Sequence, residues 1–96
     1  MNEREQLLED AKKIVCGERD KQYGNVEDCF EKIAALWTVY LEMPLYPRDV
    51  ANLMILLKIA RNLDIGHRDN WVDIAGYAAC GAECDSCFYP VIDGED

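Results

Sequence analysis

The chain is poor in bases. Ten Lys and Arg residues stand against 19 Asp and Glu, a formal net charge of −9 over 96 residues. Such a surface repels phosphate backbones, which argues against a nucleic-acid polymer as partner. From Glu83 onward there is no base at all, only Glu83, Asp85, Asp93, Glu95 and Asp96. The expectation is a helical domain over residues 1–84 and an irregular, solvated acidic tail over 85–96. Long apolar runs are also missing. The longest strongly apolar stretch, Val50 to Ala60, is too short to cross a bilayer and is interrupted by Asn52 and Lys58, so no membrane partner is expected. The acidic start, Met1 to Glu5, has no apolar signal core, and a cytoplasmic location is expected by default. There is one histidine, His67, with no evident triad partner. The five cysteines are an odd number outside any secretory context and are read as free thiols. Cys80, Cys84 and Cys87 have the C-x₃-C-x₂-C spacing of iron–sulfur enzymes that use S-adenosylmethionine. Those enzymes need a barrel for which this chain has no room, and Cys80 and Cys84 fit plain helix spacing, so no metal is expected there.

Half of the residues are hydrophobic, and their periodicity predicts four helices and an all-α fold. Leu7, Leu8, Ala11, Ile14 and Val15 mark one face of a helix from about Glu3 to Cys16, with Gly17 as its expected C-terminal cap. Asn25 is a good N-cap for a second helix to about Glu42, with an apolar stripe from Phe30 through Ile33, Ala34, Trp37 and Tyr40 to Leu41. Pro47 suits the first turn of a third helix reaching Leu63. That helix is apolar on most sides and is expected to be central and buried. A fourth helix, capped by Asp69 or Asn70, runs to about Cys84. Gly76, Gly81 and Ala75, Ala78, Ala79 and Ala82 make it slender, so a neighbouring helix or a second copy of the chain can approach closely. The architecture expected is a four-helix bundle or paired helical hairpins, and a chain this small is expected to gain stability as a homo-oligomer.

The chemistry sits on the apolar helices. Lys58 and Arg61 share a face of the third helix, and Asp69, Asp73 and Tyr77 follow one another at one-turn spacing on the fourth. One reading makes Asp73 the partner of Lys58 or Arg61, fixing helix register. The other places both cations at a pocket rim, Arg61 gripping a phosphate in bidentate fashion and Lys58 supplying a point charge. In the loop Lys21-Gln22-Tyr23-Gly24, Lys21 and the free N–H groups ahead of the second helix attract anions, and Tyr23 offers a stacking surface. Trp71 offers another, whereas Trp37 reads as core. Asn70 or Asp73 would read a base or ribose edge. A magnesium site would instead need clustered acids, and Glu27, Glu31, Asp69 and Asp73 are the candidates; Glu27, Asp28 and Glu31 equally suit a solvated first turn.

The segments Asp20-Lys21-Gln22-Tyr23-Gly24-Asn25, Ile33-Ala34-Ala35-Leu36-Trp37, Asp49-Val50-Ala51 with Leu57-Lys58-Ile59-Ala60-Arg61, and Asp69 through Ala78 occur in that order. Together they resemble a family of small all-helical proteins without assigned activity, encoded by phages and prophages. The likeness covers most of the chain, from residue 5 to 84. It places the protein in the cytoplasm of an infected or lysogenic bacterial host. Asp69 and Asp73 also resemble the acid, three residues, acid pattern of MazG-like nucleoside triphosphate pyrophosphohydrolases, but the paired-glutamate motif of those enzymes is absent. In size and polar inventory the chain is similar to small phage proteins that capture cyclic nucleotide signals of bacterial antiviral defence. Those are oligomeric, non-catalytic and bury the ligand between subunits.

Three readings follow. The first is a non-enzymatic nucleotide binder that sequesters an immune signal, its ligand held by Lys21, Tyr23, Lys58, Arg61, Asn70, Trp71, Asp73 and Tyr77, with no cofactor. The second is a Mg²⁺-dependent pyrophosphohydrolase using Glu27, Glu31, Asp69 and Asp73. The third is a ligand-free helical interaction module.

Overall fold

A computed structural model describes residues 1–18 and 25–85. Among them are four helices and no strand: α1 (Glu3–Lys13), α2 (Val26–Leu41), α3 (Pro47–Asn62) and α4 (Arg68–Asp85). None is long and apolar enough to cross a membrane.

Each helix starts where its local chemistry dictates. The Asn2 side chain accepts from the Glu5 amide at 2.9 Å, and the Glu5 carboxylate accepts from the Asn2 amide, a reciprocal capping box for α1. Asn25 Oδ1 accepts from the amides of Glu27 and Asp28 at the start of α2. Pro47 occupies the first turn of α3, and the Tyr46 amide donates to Asp49 Oδ2 at 2.8 Å. Between α2 and α3, Glu42 takes a left-handed conformation (φ 56°), and the Leu45 amide donates to Thr38 Oγ1 at 2.9 Å, closing the turn.

Two termini differ from the expectation. After α1 the chain does not stop at a glycine cap; residues Ile14–Glu18 form a wider π turn, with Gly17 at φ −111°, ψ −107°. Nor does Asp69 or Asn70 cap α4. The helix already begins at Arg68, and the Asn70 amide donates to the His67 carbonyl. Asn70 is thereby buried, and its side chain donates to Asn62 Oδ1 at 2.8 Å, tying the start of α4 to the end of α3.

The main interface is α3 against α4. Its closeness comes from missing side-chain bulk: a Cβ on Gly81 would lie 2.8 Å from the Ala51 Cβ, and one on Gly76 would lie 3.0 Å from Val15 Cγ1. The slender face of α4 thus serves neighbours within the chain at these two points. Phe30 and Ala34 from α2, Val50 and Ala51 from α3 and Cys84 from α4 form the buried cluster. The expectation of a buried third helix holds for only one of its faces. Val50 and Ala51 are buried, but Leu53, Leu56, Leu57 and Ile59 are exposed, because α2 and α4 cover only one side. The α2 stripe likewise ends at Trp37; Tyr40 is 86% exposed.

The N-terminal helix docks through charge. Arg68 at the head of α4 donates to Glu3 at 2.9 Å and to Asp10 at 2.7 Å, and Gln6 donates to the other Asp10 oxygen at 2.9 Å. The hydrogen bonds from Gln6 and Arg68 hold the Asp10 carboxyl below its ordinary value of 3.8. A depressed carboxylate stabilises the fold above its ordinary value and stops doing so as pH falls through the lowered one.

Two outcomes are expected in thermal unfolding. Gly81→Ala lowers stability by about 1–2 kcal/mol despite alanine's better helix propensity, since the Ala51 methyl has nowhere to go. Wild type is more stable than Asp10→Asn at neutral pH, and the difference vanishes as pH falls below 3.8.

Candidate functional site

The end of α3 and the start of α4 enclose an open polar hollow. Lys58, Arg61, Asp64, Ile65, His67, Asp69, Asn70 and Asp73 line it. Alongside lies a cavity of about 210 Å³, walled almost wholly by apolar side chains including Phe30, Trp37, Met54 and Tyr77. Asp73 borders both spaces. An anionic group and a flat apolar group therefore have adjoining places, with one carboxylate at the boundary.

The two cations of α3 have different fates. Lys58 Nζ lies 2.9 Å from Asp73 Oδ2, with the lysine side chain only 13% exposed. This pair locks α3 to α4 one turn beyond the Asn62–Asn70 contact, and it is the structural role anticipated for one of the two bases. Arg61 is exposed in the hollow and makes no ion pair among the described residues. Its planar fork of donors is free for a carboxylate or phosphate.

Of the residues singled out from sequence, Lys58, Arg61, Asn70 and Asp73 come together in the hollow, and Tyr77 joins Asp73 at the apolar cavity. Trp71 does not join them: it is 55% exposed and lines neither space. Lys21 and Tyr23 lie outside the described residues. The acids split as well. Asp69 and Asp73 face the hollow, while Glu27 and Glu31 border neither space. Among the described residues no three of His, Cys, Asp and Glu are placed to share a metal ion. Sequence reading did not foresee Asp64, Ile65 and His67 as walls of the hollow, nor the cavity. His67 was visible only as a lone loop histidine, and an i, i+3, i+4 stripe such as Phe30, Ile33 and Trp37 looks the same whether it fills a core or borders a void.

A family model described as a domain of unknown function, DUF6378, matches residues 6–85. The chain belongs to that family. Among its relatives are the Gene 55 proteins of Mycobacterium phage D29, 51% identical over 77 residues, and of Mycobacterium phage L5, 47% identical over 74 residues. These alignments cover 79% and 75% of this chain. They cover 51% and 47% of the relatives, so this DUF6378 chain spans about half the length of the curated proteins it matches. No solved structure matches it. The phage relatives agree with the family resemblance drawn from the motifs, and the matched span takes in every residue of the hollow.

The contrast between the two cations is measurable. In a double-mutant cycle, Lys58→Met and Asp73→Leu couple by about 1 kcal/mol, between the value of a surface pair and that of a buried one. Arg61→Ala changes stability by less than about 0.5 kcal/mol, as befits an exposed side chain with no ion pair among the described residues.

Proposed function

We propose that this protein binds a small nucleotide without turning it over. The observation that carries the reading is Arg61, in ion-pair contact with no described acid, in a hollow that shares Asp73 with an apolar cavity. In this arrangement the Arg61 fork holds a phosphate, Asp73 accepts from a polar edge, Asn70 accepts from or donates to another, and the cavity beside Tyr77 and Trp37 receives the base. Lys58 acts indirectly, by holding Asp73 in place. The acids Asp64 and Asp69 oppose a dense cluster of phosphates, which favours a ligand with few, spread charges, such as a cyclic nucleotide, over a triphosphate. In a phage setting the corresponding role is to sequester a nucleotide immune signal of the host, and the phage relatives support that setting.

The magnesium-dependent pyrophosphohydrolase reading keeps one favourable observation, that Asp69 and Asp73 border the same hollow at one-turn spacing. Glu27 and Glu31 lie away from it, and Asp73 is already engaged by Lys58. We therefore rank binding first. The ligand-free interaction module gives no role to an arginine that stands in the hollow without a described ion-pair partner.

Calorimetry against cyclic dinucleotides, ADP-ribose derivatives and nucleoside triphosphates, with and without Mg²⁺, tests this. Binding of a nucleotide by wild type, lost in Arg61→Ala at unchanged helix content, is the expected result. Full affinity in Arg61→Ala removes the arginine from the site. Pyrophosphate release from a triphosphate in the same panel restores the enzyme reading.

A further inference from the structure

The outer face of α3 has no partner within the described chain. Leu53, Leu56, Leu57, Ala60 and Leu63 fall at intervals of three and four residues along it. All five are exposed, Leu56 to 57% and Leu63 to 80%. Their spacing is that of a heptad seam, with Leu53 and Ala60 at one core position and Leu56 and Leu63 at the other.

We propose that this face is a homodimer interface, formed by α3 packing antiparallel against α3 of a second copy. The inference goes beyond nucleotide binding and does not depend on it. Three observations favour a second copy as the occupant. The first is charge. Two chains of net charge −9 repel each other over most of their surface, yet from Val50 to Leu63 there is no acid. This stretch therefore offers close approach without like charges in contact. The second is area. The five side chains expose roughly 400–500 Å² per copy, and Ile59, exposed beside them, widens the patch toward the about 800 Å² that a stable interface takes from each partner. The third is shape. In the antiparallel heptad register Leu56 of one copy lies over Ala60 of the other, so large meets small in the two central layers, and Leu53 lies over Leu63 in the two outer ones. A lipid surface fits less well, because an interfacial helix carries several bases on its polar flank, and here Lys58 is turned inward to Asp73, which leaves Arg61 as the one exposed base between Val50 and Leu63. The dimer also reaches the hollow. Arg61 follows Leu57 by one turn, and Ile65, 70% exposed, is part of the hollow's wall. A second copy on this face therefore borders the hollow's rim.

Sedimentation velocity on the full chain, over a concentration series up to about 100 µM, reads the assembly directly. Wild type is expected to sediment as two chains. Leu56→Glu and Leu63→Glu are each expected to sediment as one, with unchanged circular dichroism. Leu36→Glu, on the outer face of α2, is expected to stay dimeric. A monomeric wild type overturns the proposal, as does an assembly that survives both α3 substitutions or one that Leu36→Glu alone dissolves. Should Leu56→Glu lose its helical signal, Leu63→Glu decides, since its side chain touches little of its own chain.

Discussion

Everything in this structure depends on how closely α3 and α4 approach. With no side chain at Gly81, the Ala51 methyl lies only 2.8 Å from where a Cβ would stand. That contact brings the helices near enough for Lys58 to reach Asp73 and for Asn70 to reach Asn62. Close packing, an ion pair and a neutral hydrogen bond follow one another along the seam, ending at the loop that turns α3 into α4. The seam thus fixes both the register of the two helices and the position of the hollow at their junction. A shift of one residue in either helix would part Lys58 from Asp73 and forfeit their coupling of about 1 kcal/mol.

The seam also explains why neighbouring cations on one helix differ in role. Lys58 points along the interface and is consumed by it, while Arg61, three residues later, emerges where the helices diverge. Register is a matter for the lysine, leaving the arginine available to a guest. Asp73 links the two roles. It anchors Lys58 and at the same time forms part of both the polar hollow and the apolar cavity. A ligand that engages Asp73 is therefore coupled to the packing of the whole α3–α4 pair.

Much of the fold was legible in the residues. Asn25, Pro47 and the apolar stripes located the helices to within a few residues, because capping and periodicity are local. The pairing of Lys58 with Asp73 was open to inference too, since a cation on an apolar helix requires an acid nearby. The end of α1 was not legible. A glycine at the foot of a helix ordinarily signals a cap, whereas the π turn found there sets Val15 against Gly76 of α4, a tertiary contact that no local pattern announces. Nor did periodicity reveal how much of α3 is covered. A helix apolar on most sides is buried in a large enough protein, whereas here the remaining helices cover only one side, and Leu56 and Leu63 are left facing out. Trp71, beside the loop in sequence, stands exposed and lines neither the hollow nor the cavity.

The central claim is that hollow and cavity serve one ligand, joined at Asp73. Nuclear magnetic resonance titration with a bound nucleotide reads both ends at once, through the Arg61 side-chain N–H and the Trp37 indole N–H. The account predicts that both signals move along one saturation curve. A shift at either signal alone, or none at Arg61 at saturation, would contradict it.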